Sequence, residues 1–237
     1  MSETYYVKGP DRSKRVQELF DRIAARYDLI NDLQSFGLHR FWKAELIRMA
    51  EVQRDQTVLD LCTGTGDIAI KLASRGAHVT GCDFSEGMLS KAKKRSGAVN
   101  WVQGDALNLS FSDNAFDLIT IGYGLRNLAD FRKGLKDMLR VLKPGGRLLI
   151  LEFGNPANAI WREIYFFYLR MFVPLLGAIF CRDRSAYSYI LESLNAYPGQ
   201  MGIQRMLEEF DCRNVRVRNF LGGVMSINYA EKPRSPG

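Results

Sequence analysis

A glycine loop and three aspartates carry the first chemistry. The run LDLCTGTGDIAIKLA (59–73) passes from a strand-like stretch into a loop holding Gly64 and Gly66, and a helix begins near Asp67. Glycines at such a point let the backbone turn tightly and approach a ligand closely. GTGDIA (64–69) fits the dinucleotide pattern GxGxxA, and Asp83 follows Gly64 by 19 residues, where a carboxylate binds a ribose diol. Spacing alone therefore treats a nicotinamide dinucleotide and other nucleoside cofactors alike. Charge separates them. Asp60 precedes the loop and Asp67 opens the helix, whereas a pyrophosphate wants bare N–H groups there. S-adenosylmethionine has no phosphate: its ammonium and sulfonium suit neighbouring acids, and its carboxylate suits backbone N–H groups. Taken singly, Asp67 also reads as an acid complementing a helix dipole. Asp105, in GDA (104–106), is expected beside the adenine, accepting from its exocyclic amine. Asp60, Asp83 and Asp105 would then line one crevice at three successive strand ends.

The elements that must hold these residues follow from periodicity. Residues 12–26 and 38–50 read as helices, the first with Val16, Leu19, Phe20 and Ile23 at helical spacing. TVLDL (57–61), AHVTGCD (77–83), VNWVQGD (99–105), FDLITIGYG (116–124) and RLLILEF (147–153) read as strands. Helical segments at 86–95 and 130–142 lie between them, so the class is α/β with a parallel sheet covered on both faces. KPGG (143–146) reads as a turn ending the helix before the fifth strand. VRVRNF (215–220) and VMSINYAEK (224–232), split by Gly222-Gly223, read as an antiparallel hairpin at the sheet edge.

Residues 155–198 interrupt this rhythm. IWREIYFFYLRMFVPLLGAIFC (160–181) is apolar and aromatic, but Arg162, Glu163 and Arg170 break it and its charge-free run 171–181 is 11 residues, against about 20 for a membrane span. Pro174 is expected to kink or end a helix there. The segment reads equally as a core helix and as an apolar lid, membrane contact or subunit interface. The whole chain reads as one domain, with 12–50 as a helical cap and 155–198 as an insertion over the substrate.

Composition narrows the classes. The 237 residues are 46% hydrophobic and 25% charged, which is ordinary for a globular domain. Lys plus Arg is 33 against 26 acids, net +7, yet without a like-charge run or an aromatic-studded basic stripe, so nucleic acid is not the expected partner. Cys62, Cys82, Cys181 and Cys212 form no CxxC pair and there are two histidines, so neither a metal site nor a disulfide framework is expected. The polar start MSETYYVKGPDRSK has no apolar signal region, and the reading is cytoplasmic, with peripheral contact at the inner membrane face left open.

Beyond the glycine loop, four blocks resemble the quinone-ring C-methyltransferases of menaquinone and ubiquinone biosynthesis, within the class I S-adenosylmethionine-dependent methyltransferases. They are VQELFDRIAARYDLINDLQSFGLHRFWK (16–43), VLDLCTGTGD (58–67), FDLITIGYGLRNLADFRKGLKDMLRVLKPGGRLLILEF (116–153), and YSYILES (187–193) with YPGQ (197–200) and NFLGGVM (219–225). The loop marks only the superfamily; the YGLRN block and the N-terminal block are more specific. The resemblance implies a Rossmann-like, mostly parallel seven-stranded sheet, S-adenosylmethionine as cofactor, and a prenylated quinol as acceptor. The expected product is menaquinol, with ubiquinone and phylloquinone precursors and other lipid acceptors as alternatives. By position it implies cofactor contacts at Thr65, Asp83, Phe84, Asp105 and Ala106, with Gly64, Gly66 and Asp60 shaping the pocket. Gly122 stands where relatives often have a serine, so a contact there must come through the backbone. After GVM, many relatives have a His and a Gly where this chain has SINYAEK. A homodimer is an open expectation.

Methyl transfer to a ring carbon requires a phenolate next to that carbon and in-line alignment. Arg126, at the carboxyl end of the fourth strand, is the expected oxyanion stabiliser, and Asn127 the expected donor to the second quinol oxygen. Tyr27 and Asp28 are expected to close the pocket, with Asp28 a candidate base. An ion pair is the plainer reading of Arg126. His39 and Cys62 read as packing residues.

Overall fold

Strand residues alternate between two buried faces, which is what builds the layers. β1 (Thr57–Leu61), β2 (His78–Asp83), β3 (Asn100–Gln103), β4 (Phe116–Gly122), β5 (Leu142–Phe153), β6 (Arg213–Phe220) and β7 (Met225–Glu231) form one sheet in the order β3-β2-β1-β4-β5-β7-β6. Val58, Leu118, Leu149 and Leu151 turn to one side, under α1 (Leu38–Ala50) and α2 (Asp67–Ala73). Leu59, Ile119, Leu148 and Ile150 turn to the other, under α4 (Phe131–Val141) and α7 (Gly199–Glu209). That period of two explains why these strands read as near-continuous apolar runs: both faces are covered. The structure is a computed structural model describing residues 18, 21, 31–32, 34–181 and 185–234, with backbone alone at 174, 176–181 and 185–190.

β1 to β5 are mutually parallel, and β7 enters antiparallel between β5 and β6. The expected class and the C-terminal hairpin are therefore both present. Edge strand β6 carries Arg213, Arg216 and Arg218, charges that discourage pairing with another chain. Helix starts follow the sequence. Ser85 caps α3 (Glu86–Arg95) by accepting from the Met88 N–H at 3.1 Å, and Asp130 caps α4 by accepting from the Lys133 N–H at 2.9 Å.

Two local expectations fail. KPGG does not separate α4 from its strand: β5 already pairs with β4 at Leu142, and the register shifts before Arg147. The Gly145 N–H donates to the Lys232 carbonyl and the Lys232 N–H to the Gly146 carbonyl, each at 2.9 Å. Long-range pairing thus turns a local turn signal into a bulge. Nor does Pro174 end its helix. α5 (Ala159–Cys181) continues through it and is followed by α6 (Ser185–Ala196). A proline deletes one ladder bond, while Tyr165, Leu169 and Val173 keep the inner face of α5 buried. Of the helix expected over 12–26, only Glu18 and Asp21 are described, both helical.

Candidate active site

The strand order reverses between β1 and β4, and a cleft opens at the carboxyl ends of these strands. That is where a twisted parallel sheet leaves room for a ligand, because its connections depart in opposite directions. One wall comes from Gly64, Asp83, Phe84, Ser85 and Met88; Asp105, Ala106 and Leu107 continue it. Gly122, Tyr123, Gly124, Asn127, Leu128 and Ala129 form the opposite wall. Seven residues singled out from the sequence meet here: Gly64, Asp83, Phe84, Asp105, Ala106, Gly122 and Asn127.

Asp83 is fixed by backbone donors. Its Oδ2 accepts from the Gly64 N–H at 2.8 Å and its Oδ1 from the Ser85 N–H at 2.9 Å. Burial pushes its carboxyl up despite those bonds. A carboxylate has more acceptor sites than these backbone donors use, so Asp83 keeps capacity for a ribose hydroxyl. Asp105 accepts from the Leu107 N–H at 2.9 Å. With apolar Phe84, Met88 and Leu107 between the two acids, the wall fits a nucleoside with a flat base and a diol.

The other two acids do not face the cleft, which corrects the charge argument. Asp60 is 1% exposed and accepts from the Thr63 and Thr120 hydroxyls, each at 2.6 Å. Burial raises its carboxyl to about 6. Asp67 is drawn away by cations: Lys43 Nζ and Arg95 Nη2 each lie 2.7 Å from it. Burial pushes the Asp67 carboxyl up, but these two cations overcome it and hold it at about 2. Neither acid lines the cleft, so neither offers its charge to a ligand. They brace the loop from behind.

Thr65 and Gly66 also stand behind the lining. Arg95 Nη1 donates to the Thr65 carbonyl at 2.8 Å and to its hydroxyl at 3.0 Å. Gly66 has φ +89, and a Cβ there would overlap the Trp101 indole. Its glycine is required by this packing rather than by close approach to a ligand.

Arg126 is buried at 5% exposure, and it too is behind the wall rather than in it. Its Nη1 donates to Glu152 Oε1 and to the Tyr123 carbonyl, both at 2.7 Å, and its guanidinium lies 4.8 Å from the Phe153 ring centre. Glu152 Oε2 also accepts the Arg126 N–H at 3.1 Å. The plainer reading, an ion pair, is thus what the geometry displays. Asn127 Nδ2 points to the Tyr123 carbonyl at 3.5 Å. Tyr27 and Asp28 lie outside the described residues. Burial pushes the Cys62 thiol up, and burial together with nearby Lys43 lowers His39. His39 fits the packing role expected of it, whereas Cys62 is half-buried and also borders the cleft.

Several residues escaped sequence reading. Glu152, fully buried, carried a signal: an acid closing the apolar strand RLLILEF. Lys43 and Arg95 carried none, since cations on helices are usually solvated. Asp21 accepts from the Ser85 hydroxyl and, at 3.2 Å, from the Gly87 N–H. It ties the N-terminal segment to the rim of the cleft.

A sequence profile described as the ubiE/COQ5 methyltransferase family matches residues 9–232. A protein named demethylmenaquinone methyltransferase from Paenarthrobacter aurescens (strain TC1) is 40% identical over 233 residues, 98% of this chain and 91% of that protein. One of the same name from Staphylococcus aureus (strain MRSA252) is 39% identical, covering 94% of this chain and 96% of that protein. A solved SAM-dependent methyltransferase, described as a possible histamine N-methyltransferase, from Thermotoga maritima has the same fold. Its TM-score is 0.65 at 18% identity, covering 91% of this chain and 99% of that one.

Proposed function

This chain belongs to the ubiE/COQ5 methyltransferase family, and from that premise we propose that it methylates a ring carbon of demethylmenaquinol with S-adenosylmethionine. The observation that supports the reading best is the cleft at the β1/β4 reversal: a nucleoside-shaped wall with Asp83 and Asp105 faces Asn127, one residue from the buried Arg126–Glu152 pair.

When bound, S-adenosylmethionine supplies a methyl group on a sulfonium, so the leaving group needs no acid. Asp83 would hold the ribose and Asp105 the adenine, with Phe84 and Ala106 lining the base's side of the pocket. Backbone groups at Gly64 and Gly122 complete the pocket, while Asp60, Thr65 and Gly66 keep the loop in shape. The acceptor must be turned toward the cofactor and made nucleophilic. A phenol titrates near pH 10 in water, so ionising the quinol hydroxyl at neutral pH needs positive field. In this reading the Arg126 guanidinium, whose charge is shared with Glu152, supplies it by donating to the oxyanion in a site with little water, where such a bond is strong. Glu152 fixes its direction. Asn127 donates to the second oxygen, and the proton leaves to water.

Described residues from α1 and the segment before it and from α5 act as covers. The Tyr168 hydroxyl on α5 donates to the Gln34 carbonyl at 3.1 Å, and Trp161 Nε1 donates to the Leu221 carbonyl at 2.8 Å. The outer face of α5 exposes Ile160, Ile164, Phe167, Met171 and Leu175, each half exposed or more. A helix apolar on both faces wants cover on both. No helix among the described residues is long and apolar enough to cross a membrane. This outer face rests on the bilayer that holds the acceptor's tail, flanked by Arg162 and Arg170. A second copy of the chain is the competing occupant, and vesicle binding by a monomer excludes it.

The test is transfer of labelled methyl from S-adenosylmethionine to chemically reduced demethylmenaquinol and to a demethylated ubiquinol precursor, side by side in detergent. Label on the naphthoquinol ring is the expected result. Preference for the benzoquinol moves the assignment to ubiquinone. No transfer to either, with cofactor binding intact by calorimetry, overturns the quinol reading.

A further inference from the structure

Two buried hydroxyls within electrostatic reach of Arg126 lack hydrogen-bond partners among the described residues. Tyr165, on the inner face of α5, is 5% exposed; Tyr197, just after α6, is 8% exposed. Neither hydroxyl has a hydrogen-bond partner among the described residues. The Tyr197 ring is fixed edge-on to Phe131, 5.9 Å between centres. The Tyr165 ring stands 5.5 Å from that of Phe166. Both side chains lie within the electrostatic reach of the same two groups, Arg126 and Glu152. A buried hydroxyl left without a partner is costly, and native proteins keep one where a ligand or water completes it. Ring packing accounts for the burial of these side chains but not for two unpartnered hydroxyls, one on α5 and one in the bend after α6, that both feel the same buried ion pair.

We propose that the hydroxyls of Tyr165 and Tyr197 bind the oxygen substituents of the acceptor ring, completing with Arg126 the polar end of the acceptor subsite. This rests on the quinol reading above. Burial pushes both phenols well above their ordinary range, so they stay protonated and act as donors. A protonated donor strengthens its bond as the acceptor oxygen becomes an oxyanion, which is what the transition state requires. The placement also gives α5 and α6 a chemical duty besides covering the site. The same helix that exposes Phe167 and Met171 outward buries Tyr165 on its inner face.

The experiment compares Tyr165→Phe, Tyr197→Phe and the double variant with the wild type in the full chain. Labelled S-adenosylmethionine and reduced demethylmenaquinol are the substrates, with cofactor affinity by calorimetry and Tm alongside. Each single variant is expected to lose about tenfold in kcat/KM for the quinol, as for removal of one hydrogen bond to a charged oxygen. Cofactor Kd should stay within about twofold, and Tm should hold or rise, because each change deletes an unsatisfied buried hydroxyl. The loss should shrink at high pH, where the quinol ionises unaided. Turnover within about twofold of wild type in both variants overturns the proposal, and so does a loss that tracks a falling Tm and weaker cofactor binding. A wild type that binds cofactor but methylates no quinol overturns the underlying reading instead, and the subsite with it.

Discussion

On the cofactor side of the cleft, charge is settled inside the protein before any ligand arrives. Lys43 and Arg95 clamp Asp67, two threonine hydroxyls satisfy Asp60, and backbone N–H groups hold Asp83. On the side proposed for the acceptor, the Arg126–Glu152 pair and two tyrosine hydroxyls without partners among the described residues are buried, and α5 exposes apolar side chains to solvent. The first region is a finished backbone-built cradle, the second an unfinished one. The difference matches the ligands. A nucleoside brings hydroxyls and a base to a rigid rim. A quinol must be desolvated, oriented and ionised, and its tail must stay in an apolar medium.

The largest effect that would break this contrast is at the ion pair. Arg126→Ala should cut turnover by about 100-fold or more and cost about 3–5 kcal/mol of stability by stranding buried Glu152. Replacing both with methionine should restore most of the stability, measured by urea unfolding, and none of the turnover. Recovery of activity in that double variant would make the pair merely structural.

The cofactor side should show itself in pH. Asp60 has a folded-state value of about 6, above its ordinary 3.8. Its stabilising contribution is complete below pH 4 and is lost as pH rises through 6, about 3 kcal/mol in all. Asp67 runs the other way. Held at about 2 in the folded state, it contributes above pH 4 and loses about 2 kcal/mol as pH falls through 2. Unfolding curves of Asp60→Asn and Asp67→Asn should flatten these two separate windows. If both variants change the same window, the two acids are one coupled network.

Asp83→Asn should weaken cofactor binding by about 10- to 100-fold in calorimetry, since it removes charge-assisted bonds to the ribose. Its kcat at saturating cofactor should move far less, the reverse of Arg126→Ala. The smallest effect belongs to the outer face of α5. Phe167→Glu with Met171→Glu should lower partitioning onto anionic vesicles by about tenfold, while cofactor affinity stays put. Unchanged vesicle binding would assign that face to another copy of the chain.

Much of this was legible in the residues. The strand runs, the loop at Gly64, Asp83 nineteen residues on, and the hairpin split at Gly222-Gly223 each follow from local periodicity and turn chemistry, which act over a few residues. The sequence also supplied the types and rough places of Asp105, Arg126 and Asn127. What it could not supply was direction. Asp60 and Asp67 sit beside the loop in sequence yet turn away from the cleft, because partners 24 to 60 residues distant reach them first: Lys43, Arg95 and Thr120. Long-range pairing likewise made KPGG part of a strand. Whether a charged group serves a ligand or the fold depends on which opposite charge lies within about 4 Å. Only the folding of distant segments against one another decides that, as it sets Glu152 against Arg126.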